Sequence, residues 1–244
     1  METSVLLSAE IIAEGEGARV KRLFPSSKIR DFDPFVLFDE FFVDPFAGFP
    51  EHPHRGFEAI TYMLEGSFRH KDTLGNDTEV GQEGVQRFTA GRGILHSEMP
   101  GRGVSVCHGI QLWLNLPKRL KHIEPSYQQV DKGNLTVFEV PGGTVRTVIG
   151  DKSPLKVNTT VSYFDIRLRA GYSYSPLFHP QFSSFIYVYR GKVLCKGLEC
   201  GSGQGITLKL SPGDIFKAVD SSGFLFLTGK PHREPIYHNG PYVD

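Results

Sequence analysis

Two short polar motifs carry the chemistry that this chain can do. His52-Pro53-His54 sets two imidazoles one residue apart, and His96-Ser97-Glu98 does the same for an imidazole and a carboxylate. In an extended strand, residues i and i+2 point to one face. Each motif therefore offers two donors on one side of its strand. Brought together, His52, His54, His96 and Glu98 make a set of three imidazoles and one carboxylate. Neutral imidazoles with a carboxylate suit Fe(II), Mn(II), Ni(II), Cu(II) or Zn(II), and no thiolate belongs to the set. In an octahedral site these four leave two positions for water, oxygen or a bidentate substrate. His52-x-His54 taken alone reads more readily as two surface histidines at a loop end. Gly91-Arg92-Gly93 ahead of His96 sharpens the pattern, because glycines permit a tight approach that turns His96 and Glu98 inward.

The remaining polar residues weigh less. Glu58 shares a face with His54 if the strand is continuous, but Gly56 allows a bulge there. Glu58 is assigned to support around the ligands or to an ion pair with Arg55. His70 and His108 read as surface or hydrogen-bonded structural histidines, and Gln111 either lines a cavity or faces solvent. Arg55 and Arg92 are placed to stabilise local carboxylates or phosphate-like anions. Gly91-Arg92-Gly93 lacks the Lys-Ser/Thr pair and following helix of a nucleotide loop. No serine nucleophile motif is present, and Cys107 and His108 face opposite sides of a strand.

The elements that must position these residues are strands. Short apolar runs punctuated by Gly, Pro, Asn and Asp predict an all-β chain, with only short helices in its later part. Strands are expected over 56–63, 86–89, 104–114, 135–140 and 161–168, then over 184–189, 208–210 and 224–227. Within 109–115, Ile110, Leu112 and Leu114 share one face, Gln111 and Trp113 look elsewhere, and Pro117 ends the strand. The run from Ile60 to Gly66 matches the run from Phe185 to Gly191 in pattern, which points to a duplicated β-domain. Gly142-Gly143 and Ser153-Pro154 interrupt the strands between them, and the division is placed at 1–135 and 136–244. The second half offers Phe178-His179-Pro180 at the corresponding place and no histidine from Gly201 to Gly229. One metal site, in the first half, is expected. The last stretch, 231–244, is expected to pack back as an irregular arm.

Composition bounds the function classes. With 39% hydrophobic residues and 19 Phe, the 244-residue chain can build a sizeable core, which a disordered chain cannot. The 27 Lys plus Arg balance 27 Asp plus Glu. That balance argues against a basic nucleic-acid binder or a polybasic membrane surface. Cys107, Cys195 and Cys200 do not make a disulfide framework and read as reduced intracellular thiols. No run approaches the roughly 20 apolar residues of a membrane span. The start, Met1 to Leu7, lacks the basic region of a secretory signal. A soluble intracellular protein, cytoplasmic or also nuclear, is expected.

Beyond the two metal motifs, the chain carries Phe35-Val36-Leu37-Phe38-Asp39-Glu40-Phe41, His52-Pro53-His54-Arg55-Gly56-Phe57-Glu58 and the run from Thr89 to Pro100. It continues through Gln111-Leu112-Trp113-Leu114-Asn115-Leu116 and the closing Arg233-Glu234-Pro235-Ile236. In these residues it resembles the pirin family, a two-domain branch of the cupin superfamily, over nearly its full length. The resemblance implies two cupin-type β-barrels (double-stranded β-helices) with a few short helices. It implies iron in the N-terminal barrel, held by His52, His54, His96 and Glu98, and a degenerate C-terminal barrel with a closing tail. Mn, Ni, Co, Cu or Zn fit the same donors. It further implies a quercetin 2,3-dioxygenase-like activity that opens a flavonol or related enolic aromatic ring with O₂ and releases carbon monoxide. Glu98 would be the catalytic base there, provided it is not held tightly by the metal. The family's alternative is a non-enzymatic, iron-dependent and redox-sensitive transcriptional coregulator that meets a protein partner through an electrostatic surface. A structural metal barrel is the third reading. A monomer without direct sequence-specific nucleic-acid binding and without membrane attachment is expected.

Overall fold

The computed structural model describes residues 4–13 and 17–244. The opening residues 1–3, part of the stretch read above for a signal, lie outside the described residues. The first half of the chain supplies β1 (Val5–Ser8), β2 (Glu10–Ala13), β3 (Ala18–Phe24), β4 (Phe35–Val43), β5 (Phe49–His54) and β6 (Phe57–Glu65). It continues with β7 (Ser67–Asp72), β8 (Asp77–Gly81), β9 (Val85–Thr89), β10 (Ile94–Pro100), β11 (Cys107–Asn115) and β12 (Ser126–Val130). The second half adds β13 (Val137–Val140), β14 (Gly143–Ile149), β15 (Val161–Leu168), β16 (Ser173–Tyr174), β17 (Ser183–Arg190) and β18 (Lys192–Cys195). Last come β19 (Leu198–Gly201), β20 (Gln204–Leu208), β21 (Phe216–Ala218), β22 (Ser222–Gly229), β23 (His238–Asn239) and β24 (Tyr242–Val243).

Turns fix where these strands start and stop. β6 runs between Gly56 and Gly66, both at positive φ. A Cβ at Gly56 would strike the Val243 carbonyl, and one at Gly66 the Val106 carbonyl, so each turn needs both the conformation and the bare backbone. The short helices expected from sequence reduce to two three-residue 3-10 turns, Lys118–Leu120 and Lys132–Asn134, among the described residues. Connections this short, broken by Pro117 and Gly133, cannot recover the cost of nucleating an α-helix. No helix among the described residues is long and apolar enough to cross a membrane.

Two compact units share one plan. The N-terminal unit comprises the described residues of Glu10–Asn134 with Pro154–Thr159 and His232–Asp244. The C-terminal unit comprises residues 4–9, Leu135–Ser153 and Thr160–Pro231. The units are therefore not the contiguous blocks 1–135 and 136–244. β1 covers the edge of β20 within the C-terminal unit, and the tail after Pro231 returns to the N-terminal unit. An open sheet edge is a ready template for pairing, and β1 removes one. The N-terminal unit has a seven-stranded sheet, β12-β9-β6-β11-β4-β3-β2, and a four-stranded sheet, β5-β10-β7-β8. The C-terminal unit repeats this as β1-β20-β17-β22-β15-β14-β13 and β16-β21-β18-β19. The runs matched in the sequence fall in β6 and β17, which hold the same place in the two orders. Among the described residues each sheet has two ends, and none is seen closed on itself into a barrel.

Part of each unit's core lies between its paired sheets. In the C-terminal unit one cluster joins Ile166, Ile186 and Phe224 of the large sheet to Val193, Cys195 and Phe216 of the small one. Two clusters of the N-terminal unit are built in the same way. One sets Val20, Phe41 and Met63 against Phe68 and Val80, and the other gathers Val36, Phe57 and Phe88 with Ile94 and Val243. Each fully buried side chain of this size contributes about 1.5–3 kcal/mol.

Candidate metal centre

Strand register assembles the polar cluster. β10 runs between β5 and β7, so His96 lies opposite His52 on one side and opposite Asp72 on the other. Ile94 faces His54, and Glu98 faces His70. Directly opposed residues share a face of the sheet. Ile94, His96 and Glu98 are buried, while Leu95 and Met99 between and beyond them are exposed. The pairing with β5 slips between His96 and Glu98, where β5 carries Pro50 and Glu51 against Ser97 alone. Proline has no N–H for the ladder, and a bulge there re-aims the neighbouring side chains.

His52, His54 and His96 place ring nitrogens within 4.8 Å of one another, and a second overlapping group joins His96 to Glu98 and His70. The four donors picked from the sequence thus converge as two groups that share His96, and His70 enters as a fifth member. His70 is fully buried, so of its two expected readings the surface one fails. Its Nε2 is 2.8 Å from Asp72 Oδ2, and its Nδ1 is 3.4 Å from His96 Nδ1. The signal was there to be read: His70-x-Asp72 has the same i, i+2 spacing as the two motifs that were singled out.

Hydrogen bonds set the tautomers. The Nδ1–H of His52 donates to Pro50 O (2.7 Å), and that of His54 donates to Pro241 O (3.3 Å). A carbonyl can only accept, so both rings keep Nε2 bare. His96 Nε2 lies 3.0 Å from His52 Nε2. An octahedral ion with metal–nitrogen bonds of about 2.1 Å holds neighbouring donors about 3.0 Å apart, whereas a tetrahedral ion holds them about 3.4 Å apart. The His52–His96 spacing matches neighbouring positions of a six-coordinate ion, while Glu98 groups with His96 and His70 and not with His52 and His54.

Electrostatics keep His54 and His96 neutral. Burial, then the neighbouring His52, pushes the His54 pKa down to about 3, against the opposing hydrogen bond to Pro241. His96 is held well below the ordinary value by burial and by His54, His52 and His70. Neutral imidazole is the form that ligates metal. Burial raises the Asp72 pKa, but hydrogen bonds from His70 and Asn76 outweigh it and hold the carboxyl below its usual range.

Glu98 is oriented from the opposite sheet. Thr61 Oγ1 (2.9 Å) and Gln86 Nε2 (2.8 Å) reach its Oε1, and Gln111 Nε2 reaches Oε2 at 3.3 Å. Thr61 Oγ1 is also 2.7 Å from Gln111 Oε1, so its single proton serves one acceptor at a time. These residues form one rung across the large sheet, Gln86–Thr61–Gln111–Asp39–Arg22, each directly opposite the next. Gln111 therefore faces the cavity, not solvent. Gln86 and Thr61 went unmarked in the sequence, because nothing local distinguishes them from polar strand residues on a solvent face.

Other candidates are used elsewhere. Glu58 accepts from Thr89 and Asn158, and Arg55 pairs with Asp244 instead. Arg92 pairs with Glu124, and His108 with Glu40. Cys107 is buried against Ser67 O and its thiol is pushed up to about 12 by burial and Glu98, so it is no nucleophile. All three cysteines are buried and free of disulfides.

A cavity of about 580 Å³ in this unit opens onto the cluster. His52, His54, Glu98, Gln111 and Trp113 line it, with Val20, Leu37, Phe41, Phe49 and Phe68 as apolar walls. Trp113 stacks on Phe57 (ring centroids 4.1 Å apart) and meets His54 edge-on. His238, Gly240 and Pro241 of the tail complete the wall.

Paired antiparallel sheets that hold an imidazole–carboxylate cluster between them define a metal-binding protein of the cupin class. Two family models match the chain, Pirin over residues 17–114 and the Pirin C-terminal cupin domain over residues 163–244. The chain belongs to the pirin family. It is 37% identical to a pirin-like protein of Arabidopsis thaliana, over 97% of this chain and 82% of that one. It is likewise 37% identical to pirin of Homo sapiens, over 95% of this chain and 83% of that one. Among solved structures, it is similar to a quercetin 2,3-dioxygenase from Acinetobacter baumannii with a TM-score of 0.87. That match has 26% identity and covers 98% of this chain and 90% of that one.

Proposed function

We propose that this protein is a metal-dependent dioxygenase of the quercetin 2,3-dioxygenase type, opening the ring of a flavonol or a related enolic aromatic with O₂. The observation that carries this reading is that His52, His54 and Glu98 line one cavity whose remaining walls are largely aromatic and aliphatic. The likeness to the Acinetobacter baumannii enzyme supports it. In this reading each pair of facing sheets is the two halves of a cupin barrel, and His52, His54, His96 and Glu98 hold the ion, with iron the metal that the pirin resemblance favours. A transition metal bound there supplies Lewis-acid and redox chemistry and lowers the pKa of a substrate hydroxyl.

The protein's own residues do the rest. Phe41, Phe49, Phe68 and Trp113 cover a planar aromatic and exclude water around it. Asp39 and Arg22, ion-paired at 2.7 Å, add a polar strip for substrate hydroxyls. Glu98 Oε1 is occupied by Thr61 and Gln86, while Oε2 has only the 3.3 Å contact to Gln111. Oε2 is therefore the oxygen left for the ion, and it takes the hydroxyl proton only when that bond loosens.

The test is metal removal, anaerobic reloading with Fe, Mn, Ni, Co or Cu in turn, and addition of a flavonol and O₂. The expected result is O₂ uptake matched by carbon monoxide release with at least one metal. No uptake with any of them would reject the reading for that substrate. Glu98→Gln, checked for metal occupancy, should keep the ion and lose turnover.

A further inference from the structure

We infer that Asp72 and His70 are positioning residues that act through His96: a carboxylate–imidazole–imidazole chain that presents His96 Nε2 bare to the metal. The inference rests on the metal-centre reading above and concerns residues that this reading does not use.

The chain is continuous and dry. Asp72 Oδ2 is 2.8 Å from His70 Nε2, and His70 Nδ1 is 3.4 Å from His96 Nδ1. The side chains of Asp72 and His70 are fully buried, and His96 is 1% exposed. Water therefore cannot stand in for any partner. Asp72 is itself fixed. Its Oδ1 accepts from the backbone N–H groups of Leu74 and Asn76 and from Asn76 Nδ2, which also reaches Oδ2 at 2.9 Å. The His70 ring is clamped by stacking on Tyr127, with centroids 4.5 Å apart.

Without an ion, the 3.0 Å contact between His96 Nε2 and His52 Nε2 is a hydrogen bond to which one ring gives a proton. With an ion between them both nitrogens are bare, and donor counting then gives one direction. An ionised Asp72 only accepts, so His70 carries its proton on Nε2 and turns the Nδ1 lone pair toward His96. That lone pair accepts the His96 Nδ1–H and leaves His96 Nε2 bare beside His52 Nε2. The same polarity holds at the other two rings, where Pro50 O and Pro241 O accept the Nδ1–H. His96 differs in having no backbone carbonyl in that role, and the His70–Asp72 pair replaces it. Partners of this kind fix a ligand's tautomer and raise its basicity. His70 as a direct ligand is the competing assignment, since it groups with His96 and Glu98. Its Nε2 is committed to Asp72 and its Nδ1 is turned to His96 Nδ1. The two assignments differ in whether that Nδ1 meets a proton or the ion, which the Co(II) spectrum of His70→Leu decides.

Asp72→Asn is the sharpest probe. The substituted amide keeps an acceptor for the Leu74 and Asn76 N–H groups but turns an NH₂ toward His70 Nε2. His70 must then accept there and carry its proton on Nδ1, facing the His96 Nδ1–H. Three measurements on the full-length protein follow. Imidazole ¹⁵N spectra of Zn(II)-loaded protein should show His70 protonated at Nε2 in the parent and at Nδ1 in Asp72→Asn. Co(II) affinity, measured by competition with a chelator, should fall about 10–100-fold in Asp72→Asn and in His70→Leu. His70→Gln, whose amide oxygen can accept the His96 Nδ1–H, should recover most of that loss. The Co(II) absorption spectrum should keep its band positions throughout.

Unchanged affinity in both Asp72→Asn and His70→Leu, or the same His70 tautomer in the parent and Asp72→Asn, would overturn the inference while leaving the metal centre in place. Altered Co(II) bands in His70→Leu would make His70 a ligand and overturn it as well. A parent protein that binds neither ion would remove the metal reading itself.

Discussion

His54 shows how burial prepares a ligand. Its folded pKa of about 3 lies well below the ordinary 6.5 because the ring is buried beside another imidazole. Between those two values the unfolded chain binds a proton that the folded chain refuses. Folding stability from this group is therefore fully present above pH 6.5 and is lost as pH falls toward 3. His96 acts in the same direction. For metal-free protein, the urea midpoint is expected to fall across this window, and His54→Gln to flatten part of the fall. A midpoint in His54→Gln with the same pH dependence as the parent would show that the ring is not held neutral by the fold. Sequence spacing made this residue a candidate. Its neutrality could not be read there, since it depends first on burial, which only the folded unit supplies.

At the scale of elements, the β5–β10–β7 ribbon and the returning tail make the site together. Lys121 Nζ donates to Gly56 O (2.9 Å), Asn115 Oδ1 (2.6 Å) and Val243 O (2.7 Å), tying the tail to the turn that follows His54. Val243 N donates to Arg55 O, and Arg55 N to Pro241 O, so β24 is laced to the end of β5. Lys121→Met keeps the length and removes the donors. It is expected to cost about 1–3 kcal/mol, because buried acceptors lose their partner. It should also expose 236–244 to protease and weaken metal binding through Pro241 and His54. A denaturation midpoint within the ±0.5 kcal/mol or so of ordinary surface changes would contradict this role. The sequence marked the tail as an arm that packs back. Its destination was hidden, since Lys121 and Val243 lie 122 residues apart and meet only in the folded unit.

At the scale of the molecule, duplication explains why one unit has a site and the other a core. β21 holds the place of β10, and β18 that of β7. Where β10 turns His96 and Glu98 inward, β21 turns Phe216 and Ala218 inward, and β18 contributes Val193 and Cys195. The C-terminal unit fills with one apolar cluster the space that the N-terminal unit leaves to donors and cavity. Among the described residues, every group that could hold a metal lies in the N-terminal unit. A metal-saturated sample should carry one ion per chain by elemental analysis and protein quantitation. Two tightly held ions would mean a site built on residues other than these.

The sequence by itself determined the class of the chain and its duplication, and it picked out His52, His54, His96 and Glu98 as candidate donors. Those features are local: alternation follows from the extended backbone, turns follow from Gly and Pro, and i, i+2 spacing puts two donors on one face. Tertiary structure alone decided which candidates meet. The His96–His52 contact spans 44 residues and the His54–Pro241 contact 187, and no local pattern encodes such pairings. It also moved His70 from bystander to the chain behind His96, gave Thr61, Gln86 and Gln111 to Glu98, and exchanged the terminal segments between units. Each outcome depends on strand register, which is fixed by the packing of whole faces and not by any one residue.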